Sequence, residues 1–485
     1  MDLIIPPEHY PHQTNSTEKA IKGGLPYRGL FHEQGTGKTL TTITILRNLF
    51  LKHRKPLKTL IFCPAIVVDN WAREIDQWSK CGKYVHKLQG TKKQRMKDIE
   101  ESEALIFITN YEALHMDGLF WDEVGTKKKP LRKLKKLGFE VLILDESHRA
   151  KTHNSNTTKM LIRMSDKIHY RYILTGTPIL NTASDIWSQY RILDGGERFG
   201  ANFYAFRNLY YMDKNAGMPS DKHFPDFVLR MGALEAINEK IYTCADRVRK
   251  DEALTLPPLI KQSLFVDMSP EQSKAYKEMK AHFISYVEQV ETGELKPAVA
   301  KIALTKALRL LQIVSGFVTT DDGEDVIFKK NPRIDGLKDI LQDREGKIII
   351  WATFKQNYKM ISNLCDKLKI SYGFLVGGQN PKKRASDLEE FTKGDIRVLI
   401  ASPQAGGTGV NLIEASTSIW FSRNFSLEHR LQGLARNHRK GSEMHKTINS
   451  IDLVCPGSLE ENVLESLDNK ECLSNALLKV KNFLK

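Results

Sequence analysis

Cysteine is scarce and scattered in this chain: Cys63, Cys81, Cys244, Cys365, Cys455 and Cys472 are the six among 485 residues, and no two form a Cys-x-x-Cys pair. That spacing indicates neither a zinc ribbon nor a disulfide framework, and leaves free thiols in a reducing compartment as the expectation. Long apolar runs are missing too, none approaching the ~18 residues of a membrane span. Met1-Asp2-Leu3-Ile4-Ile5-Pro6-Pro7 has neither the basic start nor the apolar core of a secretory signal. The expectation is therefore a soluble, intracellular, cytoplasmic protein with no membrane partner. Acidic residues are outnumbered, 58 Asp and Glu against 73 Lys and Arg, for a formal charge of +15. Such a surface favours polyanions, nucleic acid first, although charge alone does not establish the partner. Hydrophobic content is ample at 41%. At roughly 150 residues per domain the length allows two or three real cores.

Short β-branched runs recur at Thr59 to Cys63, Leu105 to Thr109, Val141 to Leu144 and Tyr172 to Leu174, separated by helix-length amphipathic stretches. A second set follows at Lys347 to Trp351, Gly373 to Val376, Val398 to Ala401 and Ser418 to Phe421. Alternation of this kind predicts α/β architecture, with two parallel sheets, hence two lobes, and chemistry at the strand ends. Between them, about Gly195 to Gln342 reads as mostly helical, and the paired prolines of Leu256-Pro257-Pro258 put the lobe boundary near Pro257. The expected organisation is a first lobe over 1–194, a helical protrusion and linker over 195–256, a second helical protrusion over 257–342, and a second lobe over 343–485. Ser458-Leu459-Glu460-Glu461 has capping-box spacing and opens a C-terminal helix with Val463, Leu464 and Leu467 on one stripe.

The chemistry starts at His32-Glu33-Gln34-Gly35-Thr36-Gly37-Lys38-Thr39. A Gly-rich turn closed by Lys-Thr wraps backbone N–H groups around nucleotide phosphates: Gly35, Thr36 and Gly37 form the turn, Lys38 neutralises the β and γ charges, and the Thr39 hydroxyl ligates Mg²⁺. Asp145-Glu146-Ser147-His148 ends a wholly apolar run, where carboxylates are costly unless they meet a metal or a reactive water. Asp145 is expected to hold Mg²⁺ through water, and Glu146 to polarise the attacking water. Hydrolysis of ATP also needs positive charge on the departing phosphoryl group. Gln432-Gly433-Leu434-Ala435-Arg436-Asn437-His438-Arg439 offers Arg436 and Arg439, three apart and expected on one helix face. An isolated Arg-x-x-Arg is more often a solvated basic helix. The basic run Lys127 to Lys136 suits a phosphate track or a solvated face. Phe199, Phe203, Tyr204 and Phe206 read as packing rather than base stacking, because their spacing is helical.

With these residues in order, the chain resembles the two-lobed superfamily-two helicases and, more narrowly, the Swi/Snf-like double-stranded DNA translocases, with a compact phage or viral member as the type. Pro11-His12-Gln13 looks like the glutamine motif that reads adenine. Leu60 to Val67 with Asn70, Trp71 and Glu74 is similar to the first DNA-contact motif, and Thr109-Asn110-Tyr111-Glu112 to the next. Leu174-Thr175-Gly176-Thr177-Pro178 with Asn181 matches the motif coupling hydrolysis to lobe movement. Arg249-Lys250-Asp251 before Leu256-Pro257-Pro258 looks like the group's linker. In the second lobe, Ile348 to Phe354, Ala405 to Leu412 and Gln432 to Gly441 follow the pattern, and the helix from Ser458 resembles the C-terminal brace. Three departures stand out: Ser147 where the family has Ala or Gly, Ser442 where it often has Gln, and His32 in place of an acid.

The resemblance implies two RecA-like lobes and an ATP hydrolase that tracks along duplex DNA, with ATP and Mg²⁺ as cofactors and a monomer as the working form. It places Gln13, Gly409 and Gln432 on the nucleotide, and Asn110, Gly407, Gly409 and Asn411 on DNA phosphates. No chromodomain-like, bromodomain-like or zinc module is expected in the chain, which points to replication, recombination or repair, with branch migration as the task. An RNA-directed or transcript-releasing motor, and an ATP-gated DNA clamp without turnover, are the alternatives.

Overall fold

The computed structural model describes residues 9–79, 81–116, 119–120, 136–179, 182–218, 225–291, 297–406 and 410–468. The chain divides into two compact units, Met1–Leu254 and Thr255–Lys485. Residues 127–135 of the basic run, Asn181 and the Gly407 to Gly409 stretch lie outside the described residues.

In the first unit the strands are β1 (Tyr27–His32), β2 (Thr59–Cys63), β3 (Val85–Lys87), β4 (Ile106–Asn110), β5 (Val141–Asp145) and β6 (Tyr170–Leu174), then the antiparallel ribbon β7 (Tyr211–Asp213) and β8 (Phe227–Leu229), then β9 (Ala245–Val248). All but the ribbon join one parallel sheet in the order β3-β4-β2-β5-β6-β1-β9. The central strands are apolar throughout because both faces are covered. Leu60 and Phe62 of β2 and Leu142 and Leu144 of β5 enter one core, while Ile61, Cys63, Val141 and Ile143 enter the other.

The second unit repeats the plan. Its strands are β10 (Leu259–Phe265), the ribbon β11 (Phe317–Thr319) with β12 (Asp325–Ile327), β13 (Lys347–Trp351), β14 (Tyr372–Leu375), β15 (Val398–Ala401), β16 (Ala415–Trp420) and β17 (Ile448–Val454). The parallel sheet runs β10-β17-β16-β13-β15-β14. Ile348 and Ile350 face one core, and Ile349 and Trp351 the other.

The stretch from Gly195 to Gln342, expected to be mostly helical, also contains β7 to β12. These strands are short or lie at sheet edges, so they lack the apolar run that marks a central strand. β9 even carries a buried acid. Asp246 Oδ2 and Oδ1 accept from Arg28 Nε and Nη2 at 2.6 and 2.9 Å, and Oδ1 also from Lys19 Nζ at 3.2 Å, tying helix Pro11–Lys22, β1 and β9 together. The second unit has a larger buried ion network. Asp452 of β17 accepts from both terminal guanidinium nitrogens of Arg430, at 2.9 and 2.6 Å, and from Arg423 Nη2 at 3.2 Å. Arg423 Nη1 lies 3.4 Å from Glu460, which is also gripped by Arg333. Burial alone would raise the Glu460 carboxyl, but Arg333 and Arg423 hold it below its ordinary value.

Glu460 belongs to helix Leu459–Asp468, which buries Val463 and Leu467. Ser458 Oγ caps it by accepting from Glu460 N at 3.2 Å. The returning carboxylate, Glu461, takes Gly457 N at 3.0 Å, one residue earlier than a capping box requires. Phe199 and Phe206 are buried, Phe203 stacks on His153 at 3.6 Å, and Tyr204 is exposed, so the aromatic cluster is packing for three of its members. Among the described residues no helix is long and apolar enough to cross a membrane.

Candidate nucleotide site and nucleic-acid contacts

In the first unit the sheet order sets β6 between β1 and β5. Parallel strands end on one edge, so the turns after all three meet there. After β1 the chain passes through Gly35 and Gly37, both at positive φ (87° and 84°), and enters helix Lys38–His53. Gly37 is required twice over: by its φ, and because a Cβ there would lie 2.2 Å from Gln13 Nε2. Thr36 Oγ1 closes the turn on Glu33 O at 2.7 Å. Lys38 Nζ donates to His32 O at 2.8 Å and Glu33 O at 3.4 Å, at the mouth of the turn. Thr39 is half-buried in the first helical turn. Gln13 is buried with its amide nitrogen 3.3 Å from Gly37 O and its Oε1 accepting from Tyr10 N at 3.0 Å. It braces the turn in addition to the adenine role the resemblance implies.

The turn after β5 carries the acids. Asp145 Oδ2 accepts from Trp71 Nε1 at 2.8 Å and Oδ1 from Glu146 N at 3.0 Å, while Tyr111 Oη donates to Asp145 O at 2.8 Å. Trp71 lies in the stretch similar to the first DNA-contact motif, and the indole N–H of its fully buried ring orients the carboxylate. A tryptophan on the buried stripe of helix Val68–Trp78 was the available signal, since a buried indole N–H needs an acceptor. Burial first, then the neighbouring Glu146 charge, raises the Asp145 carboxyl to about 6, against the opposing pull of Trp71 and Lys38. Glu146 adopts the left-handed backbone at φ 54°, ψ 52°, a strained state for a residue with a side chain. Gln34 Nε2 of the phosphate turn lies 3.5 Å from its Oε1.

The third turn, after β6, is wired to the second. His148 Nδ1 lies 3.0 Å from Thr175 Oγ1 and 3.3 Å from Glu146 Oε2, and Thr175 Oγ1 accepts from Thr177 N at 3.1 Å. Ser147, the departure from the family's small apolar residue, has a partner of its own. Its hydroxyl donates to Gln189 Oε1 at 2.7 Å, and Gln189 Nε2 donates onward to Pro178 O at 2.6 Å. Neither link was visible as spacing in the sequence.

The residues fit a nucleotide-borne magnesium ion. Among the described residues no group of three or more His, Cys, Asp or Glu could cage a metal. Mg²⁺ is commonly held by one or two carboxylates plus substrate phosphates, and a buried Asp145 crowded by the Glu146 charge, with the Lys38 charge also acting on it, is a carboxylate of that kind.

His32 is wholly buried, its Nε2 3.2 Å from Ser16 Oγ, and burial followed by the Lys38 and His12 charges pushes its ring down to about 3. The unfolded ring takes a proton below its ordinary value near 6.5 while the native ring does not, so stability is lost as pH falls through that window. Denaturation at pH 6.5 and pH 5 should show up to about 2 kcal/mol lost from this residue, and His32→Gln should flatten the profile by that amount. An unchanged slope in the variant would remove His32 as the cause.

Asn110 stands at the end of β4, its Oδ1 accepting from Arg95 Nη1 at 2.8 Å and its Nδ2 donating to Glu112 Oε2 at 2.7 Å. Arg95, buried in helix Lys92–Glu101, also donates to Thr109 Oγ1 at 3.1 Å and so fixes this candidate phosphate contact.

In the second unit helix Leu427–Asn437 carries Gln432 and Arg436, both buried. Gly433 lets it approach the sheet, for a Cβ there would lie 2.6 Å from Trp420 Cη2. Arg436 Nε donates to Gln432 O at 3.0 Å and Nη1 to Val410 O at 3.1 Å, while Gln432 Nε2 donates to Glu428 at 2.9 Å. The helix ends at Asn437 with His438 at φ −98°, ψ 80°, so Arg439 follows in the turn and does not share a helix face with Arg436. Gly441 at φ 97° ends the turn, and a turn there needs the left-handed backbone a helix cannot supply. Ser442 is fully buried and Asn411 is exposed.

Residues 16–315 match the family model described as SNF2-related domain, and residues 332–441 the one described as helicase conserved C-terminal domain. The chain is 26% identical over 477 residues to human chromodomain-helicase-DNA-binding protein 1, covering 93% of this chain but 25% of that protein. It is 26% identical over 493 residues to putative protein p41 of Acyrthosiphon pisum secondary endosymbiont phage 1, covering 97% of this chain and 98% of that protein. A solved Sulfolobus solfataricus SWI2/SNF2 ATPase core in complex with dsDNA aligns with a TM-score of 0.43 at 22% identity, covering 97% of this chain and 93% of that one.

Proposed function

Because this chain belongs to the SNF2-related family, we propose that it is an ATP-hydrolysing motor that tracks along double-stranded or branched DNA, with branch migration in replication, recombination or repair as its task. The observation that carries the reading is the meeting of three turns on one sheet edge, where Gln34 of the turn that holds Lys38 reaches the strained Glu146, and His148 links Glu146 to Thr175. A structural turn has no use for a paired-acid corner beside a lysine; phosphoryl transfer does.

On this reading the backbone N–H groups from Gly35 to Thr39 and the Lys38 ammonium hold the phosphates, and Gln13 and Gln432 the rest of the nucleotide. Thr39 and Asp145 would hold Mg²⁺, which would supply charge neutralisation at the phosphates. Glu146 orients and polarises the attacking water, and Arg436 and Arg439 supply positive charge as the phosphoryl group departs. Those two sets of groups reside on separate units, so turnover is linked to movement of one unit against the other. Asn110, Asn411, Gly407 and Gly409 contact DNA phosphates, with Gly409 also sensing nucleotide. Such contacts carry no base information, so binding has little sequence preference and weakens steeply with salt. The phage relative matched along nearly its whole length supports the reading of a compact motor.

ATP turnover measured with linear duplex, single-stranded, four-way and RNA substrates tests this. Duplex DNA should accelerate turnover and four-way DNA most. No acceleration by any nucleic acid refutes the motor, acceleration by RNA alone transfers it to a transcript-directed role, and an absent junction preference removes the branch-migration task.

A further inference from the structure

The segment joining the two units is fastened at each end to a residue lying within the nucleotide machinery. At the first end, Glu33 follows β1 and begins the phosphate turn. Its carbonyl faces that turn, accepting from Thr36 Oγ1 at 2.7 Å and Lys38 Nζ at 3.4 Å. Its other groups face the departing chain: the N–H donates to Val248 O at 2.9 Å, and the carboxylate accepts from Lys250 N at 3.1 Å. The first of these bonds extends the β1–β9 pairing, whose register sets His32 opposite Val248, by one residue. At the second end, His438 Nε2 lies 3.0 Å from Pro257 O. A carbonyl only accepts, so the ring nitrogen is the donor. His438 sits between Arg436 and Arg439, in the residue that closes the helix.

Between these fastenings there is little slack. Helix Lys250–Ala253 is followed by Leu254 to Pro258, and from Lys250 to Pro257 the chain can span at most about 25 Å. Pro257 and Pro258 have fixed φ, which stiffens the far end. We propose that Glu33 and His438 are positioning residues that turn this linker into a strut, so that a change in the phosphate turn of one unit is passed along the covalent chain to the arginine turn of the other. The inference rests on the motor reading, and it assigns Glu33 a role apart from phosphate binding.

Lys250→Pro tests the first fastening. It deletes the donated N–H and leaves Glu33 in place, at a first helical position where proline is favoured and after Arg249, whose extended backbone (φ −88°, ψ 147°) accepts it. His438→Ala tests the second, and His438→Gln restores a donor. With duplex DNA, Lys250→Pro and His438→Ala should each lower kcat about tenfold with KM for ATP held within about twofold, a split that general loosening would not give. His438→Gln should recover most of the loss, and the double variant should be no worse than the poorer single, because both cut one strut. The inference is overturned if both single variants keep DNA-stimulated kcat within about twofold of wild type, or if their losses multiply in the double variant. Should a thermal melt show Lys250→Pro unfolded, the His438→Ala and His438→Gln pair decides alone. Wild-type protein that no DNA stimulates would instead sink the motor reading.

Discussion

Glu146→Gln is expected to lower DNA-stimulated ATP turnover by about 10²–10⁴-fold while leaving nucleotide affinity within about twofold. The substitution keeps size and shape, so the left-handed backbone at this residue is neither relieved nor worsened. Two things are lost: a group that can draw a proton from water, and the negative charge that holds the water against the nucleotide. Gln34 Nε2, 3.5 Å from Glu146 Oε1, still finds an amide oxygen, and the phosphate turn keeps its form. Phosphate release at saturating duplex and titration with a fluorescent ATP analogue separate the two effects. Turnover retained within about tenfold would return Glu146 to a structural role, and would favour some other water-positioning group on the same edge. Turnover lost together with binding would mean that the acid organises the phosphate turn itself.

The second large effect belongs to Arg436. Arg436→Lys should reduce turnover by about 10³-fold or more with nucleotide binding much less affected, the magnitude found when a transition-state arginine is removed. Charge is conserved in this change, so the loss would come from geometry. Nε and Nη1 of Arg436 are committed to Gln432 O and Val410 O, which fixes the plane of the guanidinium. A lysine offers three donors on a rotating head and cannot reproduce two directed bonds while presenting a third edge. Single-turnover hydrolysis with ATP in excess of its affinity is the appropriate measurement. The same change at Arg439, which lies in the turn beyond the helix, assigns the role: a large loss at Arg439 and a small one at Arg436 would make the turn residue the transition-state group and the helical one its support.

Much of the architecture was legible because central parallel strands are apolar on both faces. Thr59 to Cys63, Lys347 to Trp351 and Val398 to Ala401 appear as the sequence predicts, and Val141 to Leu144 extends by one residue, to Asp145. Three of the strands that escaped notice carry charge inward. β1 includes Arg28 and β9 includes Asp246, and each would look out of place in a core until the other is seen opposite it. β17 includes Asp452 for the same reason. Periodicity registers hydrophobicity one segment at a time, whereas a buried ion pair is a property of two distant segments.

The candidate site divided along similar lines. Lys38, Asp145 and Glu146 were visible because their motifs are local. Trp71, Gln189 and Arg95 were not read for the roles they occupy, because each orients a group in another segment through one directed hydrogen bond. The placement of Arg439 failed for a different reason: spacing of three implies a shared face only while the helix lasts, and it ends two residues too soon.

The helix bearing Arg436 also bears Arg430, whose carboxylate partner Asp452 is shared with Arg423, which in turn meets Glu460. Ionic strength therefore acts on this protein at two very different depths. On the proposed reading, mobile counterions compete freely with contacts to DNA phosphates, but they cannot enter a core in which Arg430, Asp452, Arg423 and Glu460 are all shut away from solvent. Brine that strips the motor from its polymer should leave the seat of Arg436 undisturbed, so release from DNA and integrity of the catalytic frame can be varied independently.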